Sequence, residues 1–185
     1  MWFRSDLRID DNPALLEAAK SCNELIGIYI FSQKQWNLHH ESNVKHDFLI
    51  QNLITLEKQL KKINIPLIAL QTDTFKVLPE DLQKFIDVNQ IKSCYWNNEF
   101  GVNENKRDDA VETLLSANDI QTSRYHDQVI YEPGFLRTGQ DKPFSVFTPF
   151  KRRWIENFSM SFVDLDKADK PLKKTSLTSD LSALK

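Results

Sequence analysis

The chain has few of the features that would place it outside a reducing, aqueous compartment. Only two of its 185 residues are cysteine, Cys22 and Cys94, and they lack metal-type spacing, so neither a disulfide framework nor a cysteine metal site is expected. No apolar run approaches the roughly 18 residues of a membrane helix. The opening Met1-Trp2-Phe3-Arg4-Ser5-Asp6 carries no apolar signal-peptide segment. These absences predict a cytoplasmic protein. Charge of one sign is also missing: 24 Lys and Arg face 26 Asp and Glu, for a net charge of −2. Such a balance gives no long-range attraction for nucleic acid. Missing too are a G-x-G-x-x-G turn, a P-loop, a G-x-S-x-G elbow and any internal repeat, which removes the usual nucleotide and hydrolase signatures.

What is present is the balance of a globular domain, with 41% hydrophobic and 27% charged residues. Short apolar runs at 2–3, 25–31, 67–70, 93–96 and 122–125 read as strands. Between them lie helical stripes. Leu15, Ala18, Ala19 and Cys22 share one face, as do Leu49, Leu53, Leu56 and Leu60, then Leu78, Leu82, Phe85 and Ile86, then Ala110, Val111, Leu114 and Leu115. Asp11-Asn12-Pro13 and Pro79-Glu80-Asp81 supply first-turn signals. This alternation predicts an α/β fold: a Rossmann-like, doubly wound, five-stranded parallel sheet with helices on both faces. The first strand is short for a central strand. The polar, aperiodic stretch 159–185 reads as the start of a linker, which puts the domain at 1–158. A complete small domain with a loose tail is the competing reading.

In open α/β sheets ligands bind beyond the carboxyl ends of strands. The three segments to inspect are those after the first, second and fourth strands, at 4–12, 32–40 and 97–104. All are rich in hydrogen-bonding side chains, and none holds a nucleophile with its base. Arg4, Asp6, Arg8, Asp10 and Asp11 alternate in charge, for which local ion pairing and helix capping is the favoured explanation. His39 and His40 lack the partners of a metal site, so a surface or pocket-wall position is expected. Asn103 and Glu104 open a helix, where capping and ligand binding are equally open. Lys151-Arg152-Arg153 reads as a solvated helix face rather than a nucleic-acid contact.

At these same segments the sequence resembles the DNA photolyase/cryptochrome family. The run from Trp2-Phe3-Arg4-Ser5-Asp6-Leu7-Arg8 through Asp11-Asn12-Pro13-Ala14-Leu15 is similar to its W-F-R-x-D-L-R-x-x-D-N-x-A-L signature. Gln35-Trp36 with His39, then Tyr95-Trp96-Asn97 through Val102-Asn103-Glu104 with Arg107-Asp108, follow in order. Val146-Phe147-Thr148-Pro149-Phe150-Lys151 with Trp154 closes the series. The resemblance implies a two-domain flavoprotein, closest to folate-type photolyases that repair cyclobutane pyrimidine dimers. Its N-terminal domain holds an antenna chromophore, and a helical C-terminal domain, absent here, holds FAD and meets damaged DNA. The family also carries residues ahead of the signature, which implies truncation at the front. The implied antenna is 5,10-methenyltetrahydrofolate, with a deazaflavin or FMN as alternatives. Glu104 would grip the pterin edge, whose two adjacent donors suit a carboxylate's two acceptors, Asn103 would add a further bond, and His39 would stand in the pocket wall. Trp36 either shields the ligand or belongs to the core. No catalytic or metal-binding residue is implied in this part, and the fragment alone is expected to be inactive, monomeric and a weak binder. A cryptochrome-like light receptor and a stand-alone ligand-binding domain are the alternatives.

Overall fold

A computed structural model describes residues 1–158 and 167–184. Five strands and four of the helices stand where the apolar spacing places them. The order is β1 (Trp2–Phe3), α1 (Pro13–Ser21), β2 (Gly27–Phe31), α2 (Gln33–Leu38), α3 (Asn43–Lys62), β3 (Leu67–Gln71), α4 (Leu78–Val88), β4 (Ser93–Asn97), α5 (Val102–Ala117), β5 (Gln121–Tyr125) and α6 (Phe147–Asn157). Short polar side chains cap the starts of α1, α2 and α3. Asn12 accepts from Leu15 N at 3.1 Å with Pro13 just inside α1. Ser32 and Ser42 do the same for Gln35 N and Lys45 N at α2 and α3.

All strand pairs are parallel, and they are hydrogen-bonded as a triplet β1-β2-β3 and a pair β4-β5. β4 lies alongside β1. No backbone ladder joins β1 to β4 among the described residues, and side chains make this join. The Trp2 and Trp96 rings sit 5.7 Å apart on one face. The Asn97 side chain bonds the loop after β1. The strand order turns back at β1 and β4, which is the switch point where such sheets bind ligands.

Side-chain alternation along the strands sorts the core into two layers. Phe3, Tyr29, Phe31, Leu67 and Tyr95 face α1 and α3, where Leu15, Ala18, Leu53, Leu56 and Leu60 complete one cluster. Trp2, Ile28, Ile68, Cys94 and Trp96 face α4 and α5, where Leu78, Leu82, Ile86, Val111 and Leu115 complete the other. Truncating a fully buried leucine such as Leu53 would cost about 2–5 kcal/mol.

Two regions differ from the sequence reading. The stretch after β2, expected to be irregular, contains the six-residue helix α2. The tail from 159 was expected to be a linker. Residues 159–166 and 185 lie outside the described part, but 167–184 return to the domain. Asp180 N donates to Leu67 O at 3.0 Å, Ala69 N donates to Asp180 O at 2.8 Å, and Leu67 N donates to Ser179 Oγ at 3.2 Å. The tail thus lies along the outer edge of β3 and occupies an otherwise open edge. Its polarity hid this, because edge pairing uses backbone groups rather than side-chain periodicity. α6 buries none of its residues, and Lys151, Arg152 and Arg153 are exposed on it. No helix among the described residues is long and apolar enough to cross a membrane.

Candidate ligand-binding cleft

The carboxyl ends of β1, β2 and β4 open into a cleft of 730 Å³. That lies within the ~300–1,000 Å³ of small-molecule sites. Its lining comes from the loop after β1 (Arg4, Ser5, Leu7, Arg8), from α2 (Gln35, Trp36, His39), from the first turns of α3 (Lys45, His46, Phe48, Leu49), and from β4 onward (Glu99, Asn103, Glu104, Arg107).

The side toward β1 and β4 is a buried polar network. Arg4 Nη1 donates to Asp108 Oδ2 at 2.6 Å, while Arg107 donates to Asp108 Oδ1 from Nε at 2.9 Å and from Nη2 at 2.7 Å. Arg107 Nη2 also reaches Glu99 Oε2 at 2.9 Å, and Ser5 Oγ donates to Glu99 Oε1 at 2.8 Å. Two guanidiniums therefore face two carboxylates, and the set is neutral. Trp2 stacks beneath both, with the Arg4 and Arg107 guanidinium carbons 5.0 and 4.9 Å from its ring centroid. Burial pushes the Glu99 carboxyl up, but the charges of Arg4 and Arg107 and the bonds from Arg107 and Ser5 outweigh it, so its pKa lies below the ordinary glutamate value. Asp6 shows the reverse balance. It accepts from Arg4 N at 2.7 Å and from Asn97 Nδ2 at 2.6 Å, yet burial dominates and holds its pKa above the usual aspartate value.

This overturns the local reading of the alternating charges. Arg4 pairs with Asp108, Asp6 with Asn97, and Arg8 with Asp127; only Arg8 and Asp11, 3.9 Å apart, pair within the segment. Asn12, not an aspartate, caps α1. Charges one or two residues apart point different ways in an extended loop, so they reach other elements more easily than each other.

The opposite side is more open, with Asn103 exposed and Glu104 half-buried. His39, Asn103 and Glu104 all line the cleft, so the segments after β2 and β4 meet at one rim. His39 closes α2, and its Nε2 lies 2.8 Å from Gln35 Nε2. His40, its neighbour, is outside the cleft lining and takes a left-handed turn conformation with φ 53°. The side chains of Asn103 and Glu104 have no hydrogen bond or ion pair among the described residues. Glu104 folds back over the start of α5, where its Oε2 would lie 1.9 Å from a Cβ added at Gly101. Glycine at 101 is what leaves room for that carboxylate. Trp36, for which shielding and core roles were both open, is a partly buried core neighbour that also lines the cleft. Its ring centroid is 5.6 Å from Phe31 and 4.0 Å from His46.

His46 and Phe75 line the cleft but carried no site expectation. A signal for His46 existed: it extends the stripe of Leu49, Leu53, Leu56 and Leu60 by one turn toward the helix start. Phe75 follows β3, and its only mark is aromatic character; the Arg107 guanidinium lies 4.8 Å from its ring centroid.

Residues 1–173 match the DNA photolyase family. The chain belongs to that family. It is 35% identical over 161 residues to the deoxyribodipyrimidine photo-lyase of Vibrio cholerae, covering 85% of this chain and 34% of that protein. It is 32% identical over 157 residues to the deoxyribodipyrimidine photo-lyase of Escherichia coli, covering 84% and 33%. This photolyase-family chain thus spans about a third of the length of the curated relatives it matches. Among solved structures it resembles a bacterial class III photolyase from Agrobacterium tumefaciens, with TM-score 0.74, 25% identity, and coverage of 97% of this chain and 36% of that one. The fold is shared with a Synechocystis cryptochrome at TM-score 0.76 and 22% identity, over 99% of this chain and 39% of that one. One side of this photolyase-family cleft thus has polar groups largely bound to each other, and on the other the side chains of Asn103 and Glu104 have no hydrogen bond among the described residues.

Proposed function

We propose that this chain is the antenna-binding part of a deoxyribodipyrimidine photolyase, and that its cleft takes 5,10-methenyltetrahydrofolate. The observation that carries this is the Glu104 carboxylate, which lines a cleft of suitable size, has no partner among the described residues, and sits beside a glycine that gives it room. A pterin edge offers two adjacent donors, and a carboxylate answers them with two acceptors. Asn103 adds an amide at the same rim, and His39, steadied by Gln35, closes the wall. A deazaflavin or FMN edge offers a single N–H between two carbonyls, against the two adjacent donors of a pterin, so the folate suits the Glu104 carboxylate better.

In this reading the chain performs no bond chemistry. The bound folate absorbs near-ultraviolet light and passes excitation to FAD held by the rest of the polypeptide, which acts on pyrimidine dimers in DNA. The residues here bind the antenna, fix its orientation and limit its contact with water. The complete protein is proposed to work as a cytoplasmic monomer, with a domain at 1–158 onto whose β3 edge the segment 167–184 packs. The test is to purify the complete polypeptide, supply the folate, and record absorption and excitation spectra. A bound near-ultraviolet band whose excitation appears in flavin-dependent dimer repair supports the proposal. Repair with no uptake of folate contradicts the antenna assignment.

A further inference from the structure

We infer that the aromatic face built from the loop 129–136 and helix α6 is a docking surface, and that its occupant is an apolar segment of the remainder of the same polypeptide. The inference rests on the exposed side chains and on the length of the relatives. It does not depend on which ligand the cleft takes.

Exposed apolar side chains are ordinary when scattered. Here they are gathered. Among the described residues, all the exposed large hydrophobics except Val88 and Leu172 fall within 38–48, 100–102 and 129–155. The last stretch holds the most, with Phe135 63% and Phe147 73% exposed. Phe147, Phe150, Trp154 and Ile155 follow helical spacing and form one stripe on α6. A stripe of that kind is what a helix buries against a neighbour, yet α6 buries none of its residues.

The face is held in shape. Tyr131 is buried and stacks on Phe135, with centroids 5.3 Å apart and planes at 3°, and Trp154 meets Tyr131 edge-on at 5.8 Å. Gly134, with φ 88°, makes the turn in which Phe135 N donates to Glu132 O at 3.0 Å. Between loop and helix lies a pocket of about 350 Å³, walled by Val129, Tyr131, Pro133, Leu136, Phe150 and Trp154. Glu132 is the one charged residue on it. Such a pocket receives an apolar or aromatic anchor side chain.

The relatives indicate where the anchor comes from. This chain spans about a third of their length, and it covers 36% and 39% of two solved family members while matching almost entire. The larger part of each lies beyond the matched region. A segment tethered in the same polypeptide reaches the face at an effective concentration on the order of millimolar, which a second copy or a separate protein does not match in dilute solution.

The test uses the complete polypeptide with one cysteine introduced at a time: Phe147→Cys and Ile155→Cys on the face, and Val88→Cys on α4 as an exposed reference. A maleimide labels the native proteins at a low and a high protein concentration, and peptide mass spectrometry reads each site separately. The inference expects Phe147→Cys and Ile155→Cys to label about tenfold or more slowly than Val88→Cys at both concentrations, because docking removes the thiols from water. Labelling at the Val88→Cys rate overturns it, since the face is then open. Protection that appears only at the high concentration also overturns it and assigns the face to a second copy. Where a substitution lowers the unfolding temperature, amide exchange of α6 in the unsubstituted polypeptide decides: exchange as slow as that of core-packed α1 supports docking, and faster exchange overturns it. None of these outcomes involves folate, so the antenna reading stands or falls separately.

Discussion

The two sides of the cleft use the same kinds of residue to opposite ends. On one, Arg4, Arg107, Glu99 and Asp108 bind one another in a neutral set over Trp2, with Asp6 and Asn97 joined beneath. On the other, Glu104 and Asn103 bind nothing among the described residues. A charged residue whose bonds are filled by its neighbours holds the sheet ends together. A carboxylate such as Glu104, without a protein partner among the described residues and given room by a glycine, is available to a ligand. Residue type alone does not separate the two, since carboxylates occur on both sides; partnering does. Arg4 is the partial exception, because its Nε and Nη2 make no hydrogen bond.

The sharpest way to break this comparison is Asp108→Ala. It strips the shared partner from two buried guanidiniums, and an uncompensated buried charge costs about 3–5 kcal/mol. Chemical denaturation should show that loss; a change below about 1 kcal/mol would mean that the network is not structural.

A smaller effect should appear with acid. The Glu99 pKa is lower in the folded chain than its ordinary value of 4.5, so its stabilisation is complete above that value and fades as pH falls through the lower folded one. Asp6 acts oppositely: its folded pKa is raised above 3.8, so its contribution weakens as pH rises through that folded value. Glu99→Gln should therefore flatten the acid limb of a stability–pH curve below 4.5 and leave the Asp6 limb in place. An unchanged acid limb would remove Glu99 from the network.

The smallest effect sharpens the other side. Gly101 has φ −65°, which alanine adopts freely, but its new Cβ would displace the Glu104 carboxylate. Gly101→Ala should cost a few-fold in chromophore affinity and under about 0.5 kcal/mol in stability. Equal affinity would show that the resting position of Glu104 is irrelevant to binding.

Much of the fold was legible in the sequence because burial repeats. Leu49, Leu53, Leu56 and Leu60 marked α3, and short apolar runs such as Trp2–Phe3 and Ser93–Trp96 marked strands, whose sorting onto two layers only the structure shows. The docked tail was not legible, because Asp180 holds its place through backbone bonds that no side-chain pattern records. At the cleft, family motifs pointed to His39, Asn103 and Glu104, and all three line it. Their lack of partners was invisible, as were the long-range partners of Arg4, Asp6 and Arg8, because pairing across about a hundred positions leaves no local trace. His46 was passed over as one polar residue at the head of an apolar stripe, and only its stack on Trp36 set it apart.

The central claim is that the Glu104 carboxylate, which no described residue partners, holds the ligand. Folate titration of Glu104→Gln in the complete polypeptide, with its unfolding temperature measured on the same samples, tests it most directly. The account expects affinity to fall about tenfold or more, since one acceptor of a charge-assisted pair becomes a donor, with unfolding unchanged. Wild-type affinity, or a loss that only follows a matching fall in unfolding temperature, would contradict it.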